Sequence, residues 1–329
     1  MTPPPKRPSV ASPRGGRRQR PGKAGSAAAA CLRSRRPAGG GLSWPIVLAV
    51  LAGAMMHAAW NALVKSAGDK PLDTALVHLM AAIVAVPFAL AAGLPTAAAA
   101  PYIGASLVIH IGYYIALAGA YQHGEMGMTY PIMRGTAPLL VALGSGLVLG
   151  ESPTAAAWLG ILGITVGVAL VGLAHPGEAL HHGKALAFAL GNAATIACYT
   201  FVDGLGVRAE ARAGGDVWSY VMWLFVLDGF AYPMLVWSRR TADERRAIVA
   251  YARRRWPVAT LGGSASIGSY SIALWAMTKA PVASIAALRE TSVLFAVGLS
   301  TWLLKERFGR QRALGALVIV AGVVALRLA

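Results

Sequence analysis

Charge is scarce in this chain. Of its 329 residues only 13% are charged, and acids are scarcest of all, 13 Asp and Glu against 30 Lys and Arg. A soluble domain carries about 25% charged residues, so a chain that is also 56% hydrophobic, with mean hydropathy +0.57, lacks the polar surface an ordinary soluble fold needs. Cysteine is nearly absent. Cys31 and Cys198 give neither a disulfide framework nor metal-ligand spacing. The chain has no HExxH pair, no GxxxxGK[ST] loop and no nucleophile elbow. Those absences argue against a metalloprotease, an ATP-driven pump or a hydrolase, so no enzyme activity, metal or cofactor is expected. Short alternating segments of the transmembrane-barrel kind are missing too.

Long apolar runs are what the chain has instead. About ten can be placed, over 44–64, 72–92, 99–121, 127–149, 154–173, 185–206, 217–237, 257–278, 281–304 and 311–327. Each holds roughly the ~20 residues a helix needs to cross a ~30 Å hydrocarbon core. The fold class is therefore an all-α polytopic membrane protein in contact with lipid.

Two of the runs echo each other. Tyr130–Glu151 (YPIMRGTAPLLVALGSGLVLGE) and Ile285–Glu306 (IAALRETSVLFAVGLSTWLLKE) align without a gap at an offset of 155 residues. The offset pairs Arg134 with Arg289, Thr136 with Thr291, Ser145 with Ser300 and Glu151 with Glu306, and continues through Gly160/Gly315 and Gly167/Gly322. Chance matches of Leu, Gly and Val mean little here, but an arginine and a glutamate both coinciding indicates an internal duplication. The predicted organisation is a tail over 1–42, a first five-helix repeat over 43–173, a linker over 174–184 and a second five-helix repeat over 185–329. Five is odd, so the halves insert in opposite orientations as inverted repeats, an architecture that places a transport site where they meet.

Basic charge is concentrated at the start, with ten Lys and Arg before residue 43 and no acid before Asp69. Such a Pro/Gly-rich basic segment cannot bury a core and is expected to be disordered. A lipid-touching tail, a transit peptide and translation upstream of the true start are three readings of it. Basic residues divide equally between the two faces once the tail is counted, so the positive-inside rule fixes no orientation.

Ionisable groups at membrane depth are costly and mark function by default. Arg134 lies about eight residues into its run, ~12 Å deep at 1.5 Å per residue, beside the helix-disrupting Pro131 and the Gly135–Pro138 step. With Arg289 it is a candidate contact for a carboxylate or phosphate, which a guanidinium fork fits. The competing expectation is that Arg289 pairs with a carboxylate, Glu290 or Asp228, and only locks helices together. Glu290, His57 and Asp203 are candidate proton carriers, although Asp203 falls near the end of its run and could be solvated. Asp228 carries no recognisable motif. His57, Trp60 and Asn61 share one helix face. Tyr130, Tyr114, Tyr270 and Trp275 complete an aromatic and hydrogen-bonding set that suits a small-molecule cavity. His78 reads as a packing residue. Glu151 and Glu306 read as caps or anchors.

Four stretches carry a resemblance: HAAWNALVK (57–65), AYQHGEMGMTYPIMRGTAPL (120–139), TIACYTFVDGLGVR (195–208) and SYSIALWAMTKAPVASIAALRETSVLFA (269–296). Together they resemble the drug/metabolite transporter superfamily, EamA-like group, in a subgroup with HAxWN in the first helix. The resemblance covers about 43–329, and Glu125 stands where relatives often have aspartate. It implies ten helices in two repeats, a bacterial inner-membrane location and cytoplasmic termini, without fixing a substrate. The chain is accordingly read as a secondary transporter of a small polar solute, anionic or zwitterionic, working by alternating access, with protons as a candidate coupling ion. No nucleic acid is expected as a partner, and either a monomer or a homodimer fits. The alternative of another class is a non-transporting sensor or assembly module that keeps the fold.

Overall fold

The computed structural model describes residues 42–65, 68–124, 126–172, 183–304 and 309–329. The expected tail, apart from Leu42, lies outside the described residues, as do Glu125, Glu306 and the linker up to residue 182. Gly183 and Lys184 open a helix.

Twelve helices occur among the described residues. In the first half they are α1 (Trp44–Lys65), α2 (Lys70–Ala92), α3 (Ala100–His123), α4 (Met126–Val148) and α5 (Ala155–Gly172). In the second they are α6 (Gly183–Arg212), α7 (Val217–Asp228), α8 (Ala231–Ser238), α9 (Ala242–Met277), α10 (Val282–Arg289), α11 (Ser292–Leu304) and α12 (Arg310–Leu328). Nine segments among these residues are long and apolar enough to cross a membrane, with α7 joined to α8 as one and α10 joined to α11 as another. The tenth expected crossing, 257–278, is the later part of the 36-residue α9, where glycine and serine dilute the hydropathy.

Local chemistry sets the boundaries. Asp69 caps α2, its carboxylate accepting from the Leu72 amide at 3.0 Å, and the helix ends at Gly93 in the left-handed region (φ +79°). A reciprocal capping box, Thr241 with Glu244, opens α9. The Thr241 backbone and hydroxyl groups hold the Glu244 carboxyl below its usual range. α6 runs past the expected end at 206 to Arg212 because the polar residues there have partners. Arg208 donates to the carbonyls of Met277 and Ala280, and Glu210 accepts from the Thr96 amide and hydroxyl.

The two halves are related by crossed contacts. A Cβ built on Gly160 would lie 2.8 Å from the Gly322 carbonyl oxygen, and one on Gly322 would lie 2.8 Å from that of Gly160. Gly167 and Gly315 oppose each other in the same way, at 2.8 Å in both directions. Position rises along α5 as it falls along α12, so these repeat-equivalent helices are antiparallel, and the repeats are inverted. The same relation recurs elsewhere: α1 packs on α9, and α3 packs on α6. Glycine is required at this seam because the backbones approach too closely for a side chain. Ile161, Ile164, Ile319 and Leu326 fill the space beside it and are fully buried. Large apolar side chains such as Leu147 and Leu159 stand exposed at 94% and 68% on the outside, as a lipid-facing surface requires.

Candidate functional site

A cavity of about 210 Å³ lies where the halves converge. It is larger than the ~150 Å³ cavity that accommodates a benzene ring. Its walls come from the later halves of α1 and α3, the early turns of α2 and α4, the middle of α6, and from α7, α8, α9 and α10. Ends that meet in antiparallel neighbours belong to one face of the bundle, so the cavity lies toward one side of the membrane.

Arg134 enters from α4, between the two helix prolines Pro131 and Pro138. It is 8% exposed, and its Nε lies 2.8 Å from Oε2 of Glu290. This is an ion pair without an aligned hydrogen bond, and Nη2 of Arg134 has no hydrogen-bond partner among the described residues. Arg289 ends α10. Its guanidinium sits 5.0 Å above the Tyr270 ring, and no carboxylate among the described residues lies within ion-pair distance. The competing pairing of Arg289 with Glu290 or Asp228 is not made within ion-pair distance, and Glu290 pairs instead with Arg134 across the repeats. A cleft of about 10 Å³, room for roughly one water, lies between Arg134, Arg289, Glu290 and Tyr199.

Polar groups line the rest. Trp60 Nε1 donates to His57 Nδ1 at 3.3 Å, while the Asn61 amide turns back to the His57 carbonyl at 2.7 Å. His110 stacks on Tyr199 with ring centroids 4.6 Å apart. Asn192 donates to the Tyr113 carbonyl at 2.9 Å, and its Oδ1 has no hydrogen-bond partner among the described residues. At the far end Tyr114 donates to Oδ2 of Asp228 at 2.8 Å.

Each half is also matched as a sequence. The family model of the EamA-like transporter family covers residues 44–173 and again 183–328. The chain belongs to the EamA-like transporter family. It is thus a multi-pass membrane protein of a family of transporters, which meet lipid and take small-molecule substrates. Among solved structures, one described as "Crystal structure of protein" is similar at TM-score 0.66 and 15% identity, over 86% of this chain and 98% of that one. At that identity the likeness is one of fold alone. No curated protein sequence matches the chain.

Within this EamA-like fold, the structure brings together at one cavity His57, Trp60, Asn61, Tyr114 and Tyr130 from the first half with Tyr270 and Arg289 from the second, alongside Arg134. Trp275 is not among the lining residues. It is five positions beyond Tyr270, so it points away, and it is 39% exposed. Asp203 does not line the cavity either. It is fully buried behind it, accepting from Tyr220 at 2.9 Å and from the Tyr270 hydroxyl. Its expected place near a solvated end of its span is corrected by the length of α6, which runs nine residues further. His78, read as packing, lines the cavity, as do Asn192 and Tyr199. Asn192, Ile196 and Tyr199 recur at i, i+4 and i+7, a face visible in the sequence.

Proposed function

We propose that this protein is a secondary transporter of a small polar solute, anionic or zwitterionic, that moves it across the cell membrane by alternating access. One observation carries the reading. The cavity between the halves contains a guanidinium, Arg289, that no carboxylate among the described residues approaches within ion-pair distance, and the Tyr270 ring buttresses it. A cation at membrane depth with no carboxylate within ion-pair distance favours an anionic group as its occupant. Arg134, already paired with Glu290, offers its free Nη2 as a second contact. Tyr130, Asn61, Trp60 and Tyr114 supply shape and hydrogen bonds. Of the candidate proton carriers, Glu290 is best placed to couple, since a proton on it releases Arg134 to the substrate. His57 and Asp203 stand behind it in this scheme.

Flux of labelled organic acids, amino acids and phosphorylated sugars into proteoliposomes tests the reading. Transport of at least one of these should occur in the wild type and be abolished in Arg289→Ala. Flux that survives both Arg289→Ala and Arg134→Ala unchanged would remove the arginine roles. Flux indifferent to a pH gradient would remove the proton.

A further inference from the structure

Opposite the arginines, the cavity ends at the break between α7 and α8, where Asp228 closes one helix and Gly229–Phe230 separate it from the next. A broken span in a transporter exposes polar groups at depth. Oδ1 of Asp228 is buried and has no hydrogen-bond partner among the described residues, while Oδ2 takes the Tyr114 hydroxyl. Tyr114 belongs to a cluster of three rings. Tyr114 and Tyr232 lie 5.1 Å apart, and His78 lies 5.8 Å from one and 5.7 Å from the other. His78 Nδ1 donates to the Thr74 carbonyl at 2.8 Å, which leaves Nε2 of the neutral ring as a further acceptor. All four side chains line the cavity.

We propose that Asp228, Tyr114, Tyr232 and His78 form an ammonium site, and that the transported solute is a zwitterion whose positive group docks there while its anionic group docks at Arg289. This rests on the transporter reading above and sharpens its substrate class. A carboxylate with one unpartnered oxygen, next to electron-rich ring faces and an imidazole lone pair, attracts an organic cation through charge and cation–π contact. Metal-ion binding does not fit, because no group of three or more His, Cys, Asp or Glu suited to a metal occurs among the described residues.

The cavity also spaces the two charges. From Asp228, one helical turn back leads to Phe225, whose ring is 6.1 Å from Tyr270, which is 5.0 Å from Arg289. The other wall runs from Tyr114 to Tyr113 at 5.4 Å and on to Tyr199 at 6.1 Å, beside the arginines. Two rings separate the poles on either route. With rings lining both routes and no cation among the described residues within ion-pair distance of Asp228, the favoured solute holds its charges further apart than an α-amino acid does.

A homologous series separates the possibilities. Purified full-length protein in nanodiscs is titrated with glycine, 4-aminobutyrate and 6-aminohexanoate in a thermal-shift assay, next to hexanoate and hexylamine. The longer amino acids should bind better than glycine. Hexanoate and hexylamine should bind at least about tenfold more weakly than 6-aminohexanoate, a factor equivalent to ~1.4 kcal/mol. Asp228→Asn should lose that same factor for 6-aminohexanoate and leave hexanoate unchanged, which also demonstrates that the variant is folded. Tyr232→Ala should give the same selective loss and serves if Asp228→Asn does not fold. Hexanoate binding as well as 6-aminohexanoate overturns the ammonium site, as does indifference of 6-aminohexanoate to both variants. Glycine binding best overturns the spacing. Should only plain anions bind, with Arg289-dependent flux, the zwitterion fails and the transporter stands. With neither binding nor flux for any solute, both fail.

Discussion

Arg134 of the first repeat and Glu290 of the second meet at 2.8 Å, 8% and 4% exposed. Removing one partner of a buried pair leaves an uncompensated charge and costs about 3–5 kcal/mol, whereas replacing both by apolar groups is often neutral. Glu290→Leu and Arg134→Met should each lower the unfolding temperature sharply, and the double variant should recover most of the loss. Strictly additive losses in the thermal unfolding of the three variants would show that the two residues are not coupled.

Glu151 and Arg208 join the halves at the end of the bundle away from the cavity. Arg208 Nη2 lies 2.6 Å from Glu151 Oε1, and Glu151 Oε2 accepts from the Val282 amide at 2.9 Å. The carboxylate thus serves as an N-terminal cap for α10 as well as an ion-pair partner. Glu151→Gln should loosen this closed end. In a background with Cys31 and Cys198 replaced by serine, a cysteine placed at Ala280 should label several-fold faster with a membrane-impermeant maleimide in the variant. Equal labelling rates would show that the contact does not hold that end shut.

The glycine seam predicts a steric outcome. A methyl at Gly160 or Gly322 would meet carbonyl oxygen at 2.8 Å, and overpacking of this kind costs about 1–3 kcal/mol. Gly160→Ala and Gly322→Ala should destabilise the protein, while Gly104→Ala, where nothing beyond its own stretch of helix lies within 4 Å of the new methyl, should not. Thermal unfolding of the three variants decides it.

Nine of the ten expected crossings, counted among the described residues, and the duplication were legible because hydropathy and a gap-free offset are one-dimensional signals. The breaks were not. Gly135 and Thr136 lie inside the continuous α4, whereas their equivalents Glu290 and Thr291 separate α10 from α11. Sequence alignment alone does not distinguish these outcomes. Asp228 offered no motif, since its meaning comes from Tyr114, 114 positions away. The partner of Glu290 depends on how two halves pack, and adjacency in sequence pointed to Arg289 instead. Trp275 illustrates the opposite error: an aromatic within a matching stretch, yet 39% exposed on the far face of its helix.

At the start of α9 the capping box predicts a pH response. The Glu244 carboxyl is held below its usual range by Thr241, so its contribution is complete above the ordinary carboxylate value and is lost as pH falls through the depressed one. Arg245 links this turn to Trp237, lying 5.4 Å over the ring and donating to its carbonyl. Trp237 is followed through the difference in emission between otherwise identical proteins with and without Trp237→Phe. Titrated from neutral to about pH 3, past the ordinary Glu value of ~4.3, its emission should change in the wild type and less so with Thr241→Val. Identical titrations would separate the cap from the response.

Gly229 fixes the α7–α8 break against α2. A Cβ there would clash with Ala82 and lie 2.8 Å from the His78 carbonyl oxygen. Gly229→Ala should displace the break and weaken 6-aminohexanoate binding about tenfold or more, with hexanoate binding less affected. A variant that binds 6-aminohexanoate like the wild type would show that the break tolerates the shift.

The continuous α4 and the interrupted α10–α11 are two shapes of one duplicated segment. In the transport cycle proposed above, each half needs no shape that its twin does not already display. Were the first half to break at Gly135 while the second straightened through Glu290, the crossed glycines of α5 and α12 could stay where they are. The result would be the same molecule open at its other end.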